Sequence, residues 1–520
     1  MNGGWWALAG GGFVLFVLLL RDLTQPRHAI LRNFPLVGRA RYLMEKIGPG
    51  LRQYIVARND EERPFSRDQR SWVYASAKKQ NNYFGFGTDN DLERAPNHLI
   101  IKQSPFPLLE ARPGDAAYDP DYLIPCAKVL GGARGRAHAF RPQSVVHVSA
   151  MSYGSLSANA VEAINKGCAR ASAMQNTGEG GVAPHHDHGG DLIWQLGTGY
   201  YGCRDSKGGF DLPLFLDCVE KHQIRAIEIK LSQGAKPGMG GVLPAAKITP
   251  EIARIRCVPQ GKNCISPARH STFSDVDSML DWVELLADKT GLPIGIKSAV
   301  GDQQFWNELA CQMTTTDRGV DFIAVDGGEG GTGAAPLTFS DHVSLPFKQG
   351  FVRVYREFFE QGIHNDVVFI GGGKLGFPAE AALSFALGCD MIQVAREAML
   401  AIGCIQAQEC HTGFCPTGVA TQNSWLMRGL DPTDKSARLA NYLVTLRKEL
   451  LQLSHVCAHV HPALVRPEDC EILDERFGSE TSRVVFELGN NNDWGQPSPE
   501  QAALLPDIMK RAPVSSGGTS

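Results

Sequence analysis

The sequence predicts an α/β protein: a (β/α)8 barrel of the TIM type carrying a single N-terminal transmembrane helix. Three observations lead there. Short runs rich in Val and Ile alternate with helical stretches over the middle of the chain. Glycine, serine and lysine gather just after those runs. One long uncharged segment stands apart at the start.

The runs are Val145–Ala150, Ala226–Lys230, Pro293–Lys297, Phe322–Asp326, Val367–Gly372 and Met391–Ala395, with amphipathic stretches such as Ser274–Thr290 and Pro378–Leu387 between them. Repeated strand–loop–helix units imply a parallel sheet covered by helices. Their number and length favour a closed barrel over an open doubly wound sheet, and in a barrel the functional groups lie just past the strand ends. The aromatic and Val residues of Phe351–Phe359 read as helix core.

The uncharged segment is Trp5–Leu20, with paired tryptophans at one end and Arg21 at the other. With Met1–Gly4 it is about 30 Å long as a helix, the minimum for a bilayer crossing. Arg21, Arg27, Arg32, Arg39 and Arg41 follow it, so the positive-inside rule places the bulk of the protein in the cytoplasm. A cleaved signal peptide is the rival, but a basic n-region and a small-x-small site are missing. The expected division is an anchor at 1–21, an arm at 22–139, the barrel at 140–425, and a helical segment with a disordered tail at 426–520. Within the last part, 440–456 reads as a helix, and 489–495 and 513–520 as loop and tail.

Composition narrows the chemistry. A net charge of -4 without a long basic stripe predicts no nucleic-acid binding. Thirteen cysteines, an odd number in a long chain, argue for a reducing compartment. Three of them are unusual. Cys404, Cys410 and Cys415 are separated by five and four residues among Gly and Pro. Thiolates at this spacing can hold one soft metal centre, and three ligands suit a cuboidal iron–sulfur cluster lacking one iron. Zinc with His411 as fourth ligand and a plain cysteine-containing turn are the alternatives. His185–His188 sits in a polar, glycine-rich loop and reads as locally hydrogen-bonded more readily than as a metal site.

The strand ends carry the remaining candidates. Ser149–Ser155 is a run of small residues that would let a flat ring approach the backbone. Asn176–Gly181 places Glu179 in a glycine loop. Lys230–Gly238 brings Lys230 and Lys236, with Arg254 and Arg256 soon after, and Lys297 ends its strand. Two late glycine turns, 326–333 and 371–374, suit a phosphate.

These residues carry a resemblance. Val148–Gly181, Glu228–Ile255, Asp326–Pro336 and Ala401–Gln422 resemble the FMN domain of glutamate synthase, and the cysteine spacing is similar to that family's [3Fe–4S] motif. The chain lacks the family's glutaminase and C-terminal β-helix domains and resembles its short, single-chain relatives. The resemblance implies FMN and a [3Fe–4S] cluster as cofactors, the latter on Cys404, Cys410 and Cys415. It implies FMN contacts from Ala150, Met151, Ser152, Asn176, Gln233, Lys297, Gly330, Gly331, Gly372, Gly373, Lys374, Ala395 and Arg396. It further implies that Lys236 and Arg256 grip the carboxylates of a 2-oxo acid and that Glu179 lies beside the reacting carbon, with Glu179 and Lys236 catalytic.

The activity implied is reductive amination of 2-oxoglutarate, or a related 2-oxo acid, with ammonia or an amine. Electrons would come from an external donor such as ferredoxin or a membrane partner. A homo-oligomer is possible on this reading. The family's glutamine, glutamate and histidine are replaced by Val242, Met239 and Cys257, which leaves the oxo acid and the amine open. An electron-transfer subunit without its own substrate, synthesis of an N-substituted glutamate, and a cofactor-free scaffold are the other readings.

Overall fold

The computed structural model describes residues 3–510 apart from 26–28, 84, 89, 94 and 116–117. Arg27 and the expected tail at 513–520 lie outside the described residues. The chain forms two compact units, Met1–Ser71 and Trp72–Ser520.

The first unit opens with a helix over Gly3–Thr24. Its Gly4–Thr24 stretch is apolar and long enough to cross a bilayer and is almost wholly exposed. The triple glycine Gly10–Gly12 lies within it. Two further helices, Ala29–Asn33 and Gly38–Leu51, follow, and the second runs into a π turn over Arg52–Val56.

The second unit is built on a closed barrel of eight parallel strands: β1 (Val146–Val148), β2 (Gln175–Asn176), β3 (Leu192–Leu196), β4 (Ile224–Lys230), β5 (Ile294–Ala299), β6 (Phe322–Asp326), β7 (Val368–Gly372) and β8 (Met391–Val394). The ring closes where β8 pairs with β1, Ile392 opposite Val146. The Val/Ile runs became strands within one or two residues of their expected limits. β2 and β3 were not visible as such runs. β2 is two residues of polar sequence, and β3 (LIWQL) carries Trp and Gln where the pattern asks for β-branched residues.

Two layers fill the barrel. At the end where the strands begin, Met174, Ile193, Ala226, Phe322, Ala324, Val368, Ile370 and Met391 form an apolar cluster. Cys126 and Leu130, with Phe140 against them, close that end from below. Gly295 makes room for this layer, since a Cβ there would lie 2.4 Å from the Phe322 ring. Lys128, pushed inward with the plug, meets Asp390 at 2.9 Å. Toward the strand ends the interior turns polar.

Helices coat the outside as their sequence dictates. Val276–Thr290 starts at Asp275, whose carboxylate accepts from the Ser278 amide at 2.8 Å, and stops at Gly291 in the left-handed region. Phe347–Glu360 buries Phe351, Val354, Tyr355 and Phe358 on one stripe. Pro432–Val456 packs on Ala158–Arg170, closely enough that a Cβ on Gly167 would sit 2.8 Å from Leu439. Trp72 joins this surface, donating to Glu449 at 3.1 Å, and Leu99–Ile101 pairs with Cys470–Leu473. The 489–495 loop contains the buried Trp494, whose indole donates to the Leu387 carbonyl at 3.0 Å.

Candidate active site at the strand ends

Four charged side chains converge past β2, β4 and the helix Pro250–Arg256. Glu179 stands in the loop after β2 and meets the Lys230 ammonium at 2.9 Å. Backbone packing holds it there: a Cβ on Gly197 would lie 2.6 Å from the Glu179 Cβ, and one on Gly241 would lie 2.6 Å from Oε1. Lys236 and Arg256 are each 5% exposed, so neither is a solvated rim charge. Arg256 donates to the Tyr153 carbonyl at 2.8 Å and lies over the Tyr201 ring at 5.1 Å from its centre. That leaves its Nε, buried, without a partner among the described residues.

The charges act on one another. Burial alone would raise the Glu179 carboxyl, but Lys230, Lys236 and Arg256 outweigh it and pull the pKa down to about 2. Burial lowers the Lys236 ammonium, Lys230 pushes it the same way, and Glu179 opposes both. The site gathers one carboxylate with two lysines and an arginine. Such a pocket favours a ligand carrying carboxylates of its own.

A second network lies deeper in the barrel. Lys297, 3% exposed, reaches the Ser149 hydroxyl at 3.3 Å and Asp326 at 3.4 Å. Ser149 donates to the Gln393 carbonyl oxygen at 3.0 Å. Opposite, Asn176 and Gln195 both donate to Glu228 Oε1, at 2.8 and 2.6 Å. Several buried polar atoms in this layer have no partner among the described residues: Gln393 Nε2, Gln175 Oε1, Glu228 Oε2 and both ring nitrogens of His147. Burial, with Lys297 adding to it, lowers the His147 pKa to about 3, so its ring is neutral.

The remaining expected cofactor residues ring this layer. Ala150, Met151 and Ser152 follow β1, and Gly178 passes so close that a Cβ on it would lie 2.5 Å from the Ser152 nitrogen. Gln233 donates to the Gly331 carbonyl at 3.1 Å, with Gly330 beside it. Gly372 ends β7, and Gly373 and Lys374 follow with positive φ. Ala395 and Arg396 open the helix after β8, and Arg396 donates to the Glu329 carbonyl. Small residues on three sides, a buried cation and unsatisfied polar atoms fit the edge of a flavin ring, which presents both donors and acceptors.

Cys404, Cys410 and Cys415 lie on one loop beyond β8, and among the described residues no three His, Cys, Asp or Glu are gathered closely enough to hold a metal ion. The Cys404 sulfur accepts from the Gln406 amide at 3.4 Å. Cys410 and Cys415 are close enough to interact electrically, and the buried Lys247 influences both. Its ammonium donates to the carbonyls of Cys410 at 2.8 Å and Ala420 at 3.3 Å. Burial works against a Cys415 thiolate, but donors from Ala420, Thr417 and Val419 hold its pKa below the usual thiol range. The three thiols lie on one loop with amide donors and an ammonium nearby, but their sulfurs do not converge on one point.

Residues 134–459 match the conserved region in glutamate synthase. The chain belongs to the glutamate synthase family. It is 37% identical over 470 residues to the glutamate synthase large subunit-like protein YerD of Bacillus subtilis (strain 168), covering 85% of this chain and 89% of that one. It is 34% identical over 317 residues to the archaeal glutamate synthase [NADPH] of Methanocaldococcus jannaschii, covering 59% of this chain and 58% of the relative. The match thus spans somewhat over half of the archaeal protein. Among solved structures, mandelate oxidase with 3,3-difluoro-2-hydroxy-3-phenylpropionic acid is similar at a TM-score of 0.40 and 12% identity, over 79% of this chain and 91% of that one.

Within this glutamate synthase family member, some site residues escaped the sequence reading. Lys230 stood in the motif, but only the register, with Lys230 opposite Lys297, shows that it faces Glu179. Gln393, Glu228 and Lys247 gave no signal of their own, and Ser149 stood out only as one small residue of its run. The departures resolve differently. Cys257 caps its helix in the left-handed region with its thiol exposed and donating to the Arg254 carbonyl at 3.7 Å. Val242, itself exposed, pairs with Ile265 in a short ribbon whose other pair, Leu243 and Cys264, is buried, and Met239 is half-buried. The histidine loop is locally tied: His185 to Glu251 at 3.3 Å, His222 to Asp187 at 2.8 Å, and His186 buried.

Proposed function

We propose that this chain catalyses the reductive amination of 2-oxoglutarate or a related 2-oxo acid. FMN would be held at the barrel's polar layer and a [3Fe–4S] cluster by Cys404, Cys410 and Cys415. The observation that carries the reading is the buried group of three cations around one carboxylate beside a polar layer with unsatisfied atoms. When bound, FMN would supply hydride chemistry at the substrate carbon. Ser149–Ser152, Asn176, Gln393 and Lys297 would hold its ring, and Gly372–Lys374 with Ala395–Arg396 its phosphate.

The chain's own residues do the rest. Lys236 and Arg256 would pair with the substrate carboxylates and set the carbon to be reduced. Glu179, with its pKa near 2, is a feeble base. Its part would therefore be to hold ammonia, whose lone pair stays free to attack, by accepting a hydrogen bond from it beside the reacting carbon. Overall one oxo acid, one ammonia, two electrons and two protons give one amino acid and water. The electrons come from an external donor, a ferredoxin-like protein or a membrane partner. The less polar Val242 and Met239 at the rim support an oxo acid other than 2-oxoglutarate as an alternative.

The domain division follows the same reading: an anchor at 1–21 that tethers the enzyme with its barrel in the cytoplasm, an arm at 22–139, the catalytic barrel at 140–425, and a C-terminal segment at 426–520. The test is anaerobic purification in detergent, then flavin, iron and sulfide per chain and amino-acid formation from 2-oxo acids and ammonia with a reduced artificial donor. One FMN with about three irons and four sulfides is expected. Arg256→Ala should abolish turnover and keep both cofactors. Protein without flavin would refute the reading.

A further inference from the structure

The helix Gly38–Leu51 exposes an apolar stripe that nothing in its own unit covers. Leu43, Met44, Ile47 and Leu51 are 41–58% exposed. At 3.6 residues per turn they fall within an arc of about 100°. Arg39 and Lys46 border that arc on one side and Arg41 on the other. Past the stripe, the π turn continues with exposed Ile55 and Val56 and the cation Arg52. From Gly38 to Val56 there are four cations, of which Arg41 is paired with Glu45 at 2.8 Å and Arg39 with Asp22, and Lys46 and Arg52 would lead a contact with lipid.

A built corner ties this helix to the end of the apolar one. Asp22, 1% exposed, accepts from the Leu36 amide at 3.0 Å and from Arg39 Nε at 2.9 Å. Gly38 fits against the intervening turn, where a Cβ would lie 3.1 Å from the Ile30 carbonyl. The start of the striped helix is therefore fixed beside the last turn of Gly3–Thr24. A span ending there would deliver the stripe to the headgroup layer of its own bilayer.

We propose that Gly38–Leu51 is an interfacial helix whose apolar face enters an anionic lipid surface while its flanking cations contact the headgroups. This rests on reading Gly4–Thr24 as a membrane span. It goes further by assigning a second, lipid-specific contact that restricts how the anchored chain sits on the bilayer. Each cation near such a surface is worth about fivefold in affinity, so preference for anionic over neutral lipid is expected to be steep and salt-sensitive.

The test uses the full chain in vesicles of phosphatidylglycerol or of phosphatidylcholine, read by hydrogen exchange of amides 38–56 and by retention through an alkaline carbonate wash. Exchange at least tenfold slower in phosphatidylglycerol is expected. Leu43→Asp with Ile47→Asp should abolish that difference, and Arg41→Gln with Lys46→Gln should reduce it, both with carbonate retention unchanged. Equal exchange in the two lipids overturns the proposal and leaves the span standing. So does a concentration-dependent dimer in detergent that the same substitutions remove. Loss of the chain in carbonate refutes the span. Salt-sensitive flotation with phosphatidylglycerol vesicles, abolished by the aspartate pair, would then still support the interfacial helix. No flotation would refute both.

Discussion

Replacing Glu179 by glutamine tests the charge balance of the site with little change of shape. Glutamine keeps an oxygen for the Lys230 ammonium but leaves Lys230, Lys236 and Arg256 together without their carboxylate. Glu179 titrates near 2 in the folded chain against an ordinary 4.5. The difference corresponds to roughly 3 kcal/mol of stability supplied by the ionised form. Because the folded pKa is the lower one, that stability is complete above about pH 4.5 and is lost as pH falls through about 2. At pH 3 only about 1 kcal/mol should remain. A unit of roughly 450 residues has an unfolding entropy near 0.9 kcal/mol per degree. The variant should therefore melt about 3 °C lower at pH 7 and about 1 °C lower at pH 3. Parallel thermal scans of both proteins across that range are the assay. A gap that stays constant with pH, or a variant as stable as the parent at pH 7, would refute the electrostatic account of Glu179.

Asp390→Asn should destabilise the barrel by about 3–5 kcal/mol, since it leaves the Lys128 ammonium buried with carbonyls alone; thermal or urea unfolding checks this. Trp494→Ala, which empties a buried indole site and orphans the Leu387 carbonyl, should cost about 3–5 kcal/mol in the same measurement while leaving flavin content unchanged. Lys247→Met should release the carbonyls of Cys410 and Ala420, each bond worth about 1.5–3 kcal/mol. Hydrogen exchange across residues 404–420 should then accelerate at least tenfold while barrel-strand amides stay protected.

The barrel was largely legible because its strands are buried on both faces and therefore read as unbroken Val/Ile runs, as at Phe322–Asp326 and Val368–Gly372. β2 and β3 were hidden for a related reason. Their inward side chains, Asn176 and Gln195, serve the polar layer around Glu228, and polar residues break the pattern that marks a strand. The candidate site was half legible. Glu179 and Lys236 stood out as charges set in glycine-rich loops and Arg256 and Lys297 as charges close after or at strand ends, whereas Gln393 looks ordinary in sequence and meets Ser149 only through the pairing of β8 with β1.

Sequence alone determined the features that depend on local spacing: the period of the barrel, the apolar N-terminal helix, the three cysteines on one loop and the family to which the chain belongs. Tertiary structure decided which charges meet. Lys230 and Glu179 are 51 residues apart, and only closure of the barrel brings them to 2.9 Å. It also decided that Lys236, Arg256 and Lys297 are buried, and burial is what lets such charges act strongly on a neighbour, as Lys236 and Arg256 do on Glu179 and Lys297 on His147, because water can no longer screen them.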